Sequence, residues 1–137
     1  MKLNKLSKLP LFGELTPAQF ERLTDSLLLR HYARGEAIFQ RGAPSQALYI
    51  ISAGWVQLRG EGGLRLATLG PDSLLGDSDM LDDQPYAVTA VASDDAEAWS
   101  LSREALITLV TDDPDLGLRL SSALGRRLPL LDNLLIE

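Results

Sequence analysis

The 137-residue sequence contains no cysteine and a single histidine, His31. The first absence excludes disulfides, thiolate metal centres, iron–sulfur clusters and cysteine nucleophiles. The second argues against a metal-dependent β-barrel enzyme, which generally needs two or more histidines with a carboxylate. No nucleophile and base pair stands out either, so no enzyme is expected. There is no run near 18 apolar residues of the kind that crosses a membrane. The N-terminal stretch MKLNKLSKLPLF interleaves lysines with leucines and lacks the unbroken apolar core of a signal peptide. Positive charge is in deficit, with 13 Lys and Arg against 19 Asp and Glu and a net charge of −6. A broad DNA-binding or lipid-binding face is therefore not expected of this chain alone. One cytoplasmic domain of ordinary size is the expectation.

What is present reads as helix, then many strands, then helices. Residues 2–9 predict a short helix with leucines and lysines on different sides, packed as a flap on the domain. Several signals then agree on a helix start: Thr16 as N-cap, Pro17 in the first helical position, Gln19 closing a capping box, and Leu15 with Phe20 as a staple pair. Phe20, Leu23 and Leu27 share one face, which predicts a helix over 17–28.

Beyond it, the segments 36–41, 47–52, 55–59, 64–69, 86–92 and 96–101 read as strands separated by turns rich in glycine, proline and aspartate. Val56 and Leu58 against Trp55, Gln57 and Arg59 show the period of two of a half-buried strand. Residues 60–63 form a hairpin tip. His31 belongs to a strand or a helix end. So many short strands mean a sandwich or barrel. Ser102 caps a helix over 103–110, and Asp113-Pro114 caps another with Leu116, Leu120, Leu124 and Leu128 on one side. Pro129 cannot donate to the Gly125 carbonyl, so that helix ends or kinks there. The apolar tail of Leu130, Leu131, Leu134, Leu135 and Ile136 packs on the barrel or pairs with a second copy.

The candidate site is residues 74–91, LLGDSDMLDDQPYAVTAV. Gly76 permits a backbone conformation closed to other residues and a close approach, so the amides around it form a candidate anion cradle. Asp77, Asp79, Asp82 and Asp83 have the wrong sign for a phosphate. Asp77 is suited to capping the following turn, and the later aspartates read as a solvated loop. Tyr86 reads as core, filling space while its hydroxyl finds a partner. Arg59 and Arg65 read as surface residues.

The stretch resembles the phosphate-binding cassette of the cyclic nucleotide-binding domains: Leu75-Gly76-Asp77 for the opening triplet, Met80-Leu81 for the apolar pair, Pro85 for the proline. Further matching pieces are Gly35-Glu36-Ala37-Ile38-Phe39, Gly42-Ala43-Pro44, Ser52-Ala53-Gly54-Trp55-Val56, Ala67-Thr68-Leu69-Gly70-Pro71 and Asp113-Pro114. Over nearly its whole length the chain looks like the sensor domain of catabolite activator and FNR-type regulators. The resemblance implies a mainly β fold with flanking α-helices, an eight-stranded jelly roll (double-stranded β-helix) over 31–101 between N-terminal helices (1–30) and C-terminal helices (102–137). It implies a ligand site at Leu75, Gly76, Asp77, Ser78, Pro85, Tyr86 and Ala87. In the family an arginine pairs with the cyclic phosphate, the next residue adds a hydroxyl and a glutamate holds the ribose; here those positions are Tyr86, Ala87 and Asp77. Losing one partner of a buried charge-assisted pair costs about 2–5 kcal/mol. A micromolar binder would become roughly millimolar or worse. Ordinary cyclic AMP or cyclic GMP binding is therefore not expected.

The function implied is a regulatory sensor domain in signal transduction or transcription, in which a small-molecule effector shifts the C-terminal helices. The alternative is a ligand-free dimerisation or scaffolding module derived from that domain. A homodimer through the C-terminal helices is the expected assembly.

Overall fold

The computed structural model describes residues 6–135, so the first half of the helix predicted over 2–9 lies outside the described residues, as does Ile136, and residues 6–8 form a 3-10 turn. Leu6, Leu11 and Phe12 are buried, the last two in a 3-10 turn at Pro10–Phe12. Helix α1 (Pro17–Asp25) begins as its capping signals require: Gln19 N–H donates to Thr16 Oγ1 at 3.2 Å and Thr16 N–H to Gln19 Oε1 at 3.0 Å. It ends earlier than the apolar spacing predicts. Leu27 is buried outside the helix, and β1 (Leu28–Tyr32) begins at the next residue.

Seven more strands follow: β2 (Ala37–Phe39), β3 (Ala47–Ala53), β4 (Val56–Arg59), β5 (Arg65–Leu69), β6 (Leu74–Leu75), β7 (Thr89–Ala92) and β8 (Ala96–Ser102). They form two four-stranded sheets, β1-β8-β3-β6 and β2-β7-β4-β5, whose pairings are all antiparallel. Consecutive strands alternate between the sheets or close hairpins, as in a jelly roll. The β4–β5 hairpin turns at the predicted tip, where Gly60 N–H donates to the Leu64 carbonyl at 2.7 Å.

The strand predicted over 86–92 starts only at Thr89. Tyr86 N–H is committed to the Ala43 carbonyl (3.0 Å) and Ala87 N–H to Asp79 Oδ2 (3.2 Å), which removes both from the ladder. Strand β1 shows no alternation of buried and exposed residues: Leu28 to His31 are all exposed, and only Tyr32 packs against the core between the sheets. His31 lies on it, exposed, 3.9 Å from Glu97.

Ser102 caps α3 (Arg103–Asp112) by accepting from Ala105 N–H at 3.0 Å. Asp113 occupies the N-cap position of α4 (Pro114–Leu124), but its side chain does not cap; Oδ2 takes the Gln19 amide at 3.1 Å and so ties α1 to the α3–α4 corner. Helix α4 stops at the left-handed Gly125 (φ 65) and not at Pro129, which instead opens α5 (Pro129–Leu135). Proline suits a first helical position because its missing N–H would be unpaired there anyway.

Two apolar cores result. One joins the helices to β3 and β8 through Leu23, Leu48, Ile50, Leu101, Leu106, Leu116, Leu120 and Leu131. The other lies between the sheets, through Ile38, Phe39, Ile51, Val56, Leu75, Tyr86 and Ala92. Of the apolar tail, Leu128, Leu130 and Leu131 are buried in the first core and Leu134 packs against it. Those leucines pack on this chain's own domain. Among the described residues no helix is long and apolar enough to cross a membrane.

Candidate functional site

Strand β6 carries Leu75 into the barrel opposite Tyr49, and Gly76 then turns the chain into α2 (Asp77–Leu81). Gly76 is left-handed at φ 71, and a Cβ there would lie 2.8 Å from Tyr86 Cε1 and 3.4 Å from both Phe39 Cε2 and the Ala47 carbonyl. Backbone conformation and space both demand glycine. Met80 and Leu81 are buried and anchor α2 on the helical core. After Asp82 and Asp83 the chain returns through the exposed Pro85 to the buried Tyr86.

Tyr86 is the centre of the site. Its ring stacks on Phe39 with centroids 3.9 Å apart and planes at 14°, and Phe39 in turn stacks on Tyr49 at 5.8 Å. Its hydroxyl donates to the Ala47 carbonyl at 2.6 Å and accepts from Ala47 N–H at 3.2 Å. Burial pushes the phenol pKa well above its usual value, and Tyr49 and Asp79 add to the rise, so the group stays neutral as a buried tyrosine should.

Asp77 is half-buried at the first helical position, and burial raises its carboxyl pKa; its own amide and that of Ser78 donate to it and pull the other way. The amides expected to cradle an external anion thus face a carboxylate of the chain itself. Asp79 accepts from Ala87 N–H and fastens the two arms of the cassette together. The aspartates expected in a solvated loop are partly exposed, but each has a partner. Asp82 Oδ1 lies 2.6 Å from Arg126 Nη1 and Asp83 Oδ1 3.1 Å from Arg103 Nη2.

Of the seven predicted site residues, the structure brings Leu75, Gly76 and Tyr86 into the barrel. Asp77 lies at its rim, and Ser78, Pro85 and Ala87 are exposed. Arg59 spends its Nε on Gln57 at 3.0 Å, and Arg65 is exposed, as expected of surface residues. Sequence reasoning missed Phe39, Ala47 and Tyr49 as the partners of Tyr86, and Arg103 and Arg126 as the partners of the acidic turn. Phe39 stands inside a motif that carried the resemblance, Gly35-Glu36-Ala37-Ile38-Phe39, and that was the available signal for it.

The geometry can be set beside known proteins. The family model for the cyclic nucleotide-binding domain matches residues 29–113, which includes every strand but the first residue of β1 and the whole cassette. The chain belongs to the cyclic nucleotide-binding domain family. It is 35% identical over 123 residues to the "Cyclic AMP receptor protein" of Thermus thermophilus, covering 87% of this chain and 57% of that protein. It is 29% identical over 136 residues to the "CRP-like cAMP-activated global transcriptional regulator" of Mycobacterium tuberculosis, covering 96% of this chain and 61% of that one. The chain therefore spans about three-fifths of the length of these relatives. Among solved structures, the N-terminal domain of a transcriptional regulator from Streptomyces coelicolor superposes with a TM-score of 0.75 at 28% identity, covering 85% of this chain and 83% of that one. This cyclic nucleotide-binding domain is thus of the regulatory sensor type found in Crp/Fnr-like proteins, with the jelly roll and flanking helices that the sequence implies.

Proposed function

We propose that this domain, working in the cytoplasm as one module over 1–137, regulates a partner through its C-terminal helices and does not take up cyclic AMP or cyclic GMP in the family's usual manner. One observation carries the reading. The position where the resemblance places the phosphate-binding arginine holds Tyr86, whose ring and hydroxyl are both committed inside the barrel. A neutral phenol facing inward supplies no counter-charge for a phosphate, and Asp77 and Asp79 add repulsion. An effector of this domain acts by binding two arrangements of the C-terminal helices unequally, and only to the extent of that inequality. The acidic turn meets those helices directly, through Asp82 with Arg126 and Asp83 with Arg103.

The test is calorimetry with cyclic AMP and cyclic GMP. The wild type is expected to give no saturable heat at micromolar nucleotide. Tyr86→Arg with Ala87→Ser, which restores the guanidinium and the hydroxyl, is expected to gain measurable affinity. Tight stoichiometric binding by the wild type would overturn the reading.

A second reading, a dimerising module that needs no ligand, is favoured by Leu118. It is 55% exposed on α4, at the edge of a cleft that Ser121, Arg126 and Asp132 also line. Leu118→Glu should convert such a dimer to monomer by light scattering; a wild type already monomeric at high concentration would sink it.

A further inference from the structure

The contacts of Tyr86 form part of a closed circuit. Its hydroxyl holds both backbone groups of Ala47. The residue before Ala47, Gln46, accepts from Arg103 N–H at 2.7 Å at the start of α3. The Arg103 guanidinium returns to Asp83 in the cassette at 3.1 Å. Ser45 Oγ donates to the Gln84 carbonyl at 2.6 Å and closes the same circuit from the other side. Tyr86 is also held by its backbone, with its N–H on the Ala43 carbonyl (3.0 Å) and its carbonyl taking Gly42 N–H (2.8 Å). One further strut, Asp82 with Arg126, reaches the junction between α4 and α5. Every joint of this frame is made by the chain itself.

From this we infer that Tyr86 is an internal latch: it occupies the cassette from within and holds barrel, cassette and C-terminal helices in one fixed arrangement without any ligand. The inference rests on the reading of Tyr86 as the replacement for the nucleotide's anchor, and it adds what that replacement does. A lost anchor alone would leave the cassette free to move. A latch makes the assembled arrangement the resting state, and release of Tyr86 from Phe39 and Ala47 becomes the step that frees the α4–α5 junction.

Hydrogen exchange on the intact chain tests this. Tyr86→Phe keeps the stack and removes the hydroxyl. It is expected to speed exchange about tenfold, the effect of losing a hydrogen bond of ordinary strength, at Ala47, whose N–H loses its acceptor, in residues 76–87 and at 125–131, over and above the uniform change that any loss of global stability produces in β4 and β5. Arg126→Gln is expected to speed the 125–131 amides and leave 76–87 protected, because it cuts only the last strut. Tyr86→Ala opens a ring-sized cavity, and apolar cavities of that kind bind aromatic solutes; millimolar p-cresol is expected to restore protection to both segments together. The latch is overturned if Tyr86→Phe leaves residues 125–131 as protected as in the wild type. It is equally overturned if Tyr86→Phe speeds exchange in residues 76–87 and 125–131 by no more than it does across both sheets, the signature of a purely stabilising core residue. Nucleotide binding by the wild type, read in the calorimetric test, would instead remove the functional reading while the exchange pattern still reported on the latch.

Discussion

Gly76→Ala tests the packing at the heart of the cassette, and its cost can be built from two separate terms. An L-residue held at the left-handed φ of 71 costs about 1–2 kcal/mol. The new methyl would also stand 2.8 Å from Tyr86 Cε1. That ring cannot retreat, since Phe39 lies against its face at 3.9 Å and Ala47 holds its hydroxyl from both sides. Overpacking of this kind costs about 1–3 kcal/mol. The sum, about 2–5 kcal/mol, is a large share of the stability of an ordinary domain. Urea unfolding measures it, with an unchanged slope showing that the loss is in stability and not in the compactness of either state. The two terms separate in a double-mutant cycle. In a Tyr86→Ala background the methyl has room, so the steric share disappears and only the backbone term of about 1–2 kcal/mol remains. A coupling of about 1–3 kcal/mol is therefore expected between the two positions. If Gly76→Ala costs the same in both backgrounds, the Tyr86 ring does not rest against Gly76, and the account of the filled cassette fails with it.

Tyr86→Phe should lose about 1–3 kcal/mol in chemical denaturation, because it strands the buried carbonyl and amide of Ala47; a loss below a few tenths would mean that water replaces the hydroxyl. Leu131→Ala should cost about 2–5 kcal/mol, since Leu131 is fully buried in the helical core. Cutting the chain after Leu128 should accordingly unfold or markedly destabilise the domain and not merely dissociate it; a stable, truncated chain by thermal melting would contradict the packing of α5. Asp77 has a pKa raised above 3.8 in the folded chain, chiefly by burial. Its contribution to stability is therefore fully present below pH 3.8 and is lost as pH rises through the raised value. Asp77→Asn should flatten the pH dependence of stability across that window, and a slope identical to the wild type's would show that Asp77 does not titrate there.

Some of this architecture could be read from local patterns. The capping box at Thr16 and Gln19, the Ser102 cap, the hairpin at 60–63 and the glycine turn at 76 each depend on groups within a few residues of one another. Other features escaped for reasons that are also physical. Proline is the stronger breaker in sequence and points to an end or kink at Pro129, yet α4 stops at Gly125, whose left-handed conformation turns the chain so that Leu128, Leu130 and Leu131 fold back onto the core. The two-residue β6 carries too few positions to show any period, and the edge strand β1 buries neither face. The apolar pattern predicts a strand over all of 86–92, three residues longer than β7, because nothing nearby in the chain signals that Asp79 takes the amide of Ala87.

The residues, read with the family resemblance they carry, determined the kind of domain: the order of elements, the glycines that punctuate them and a tyrosine at the position where the resemblance implies an arginine. They did so because caps, turns and alternation are decided over distances of a few residues. Only the folded chain decided what the tyrosine does. Its partner Ala47 is 39 positions away, Arg103 lies 20 from Asp83, and Arg126 lies 44 from Asp82. Contacts at such separations are chosen by how the two sheets and the helices pack, because a buried phenol must find a backbone partner wherever the barrel brings one within reach.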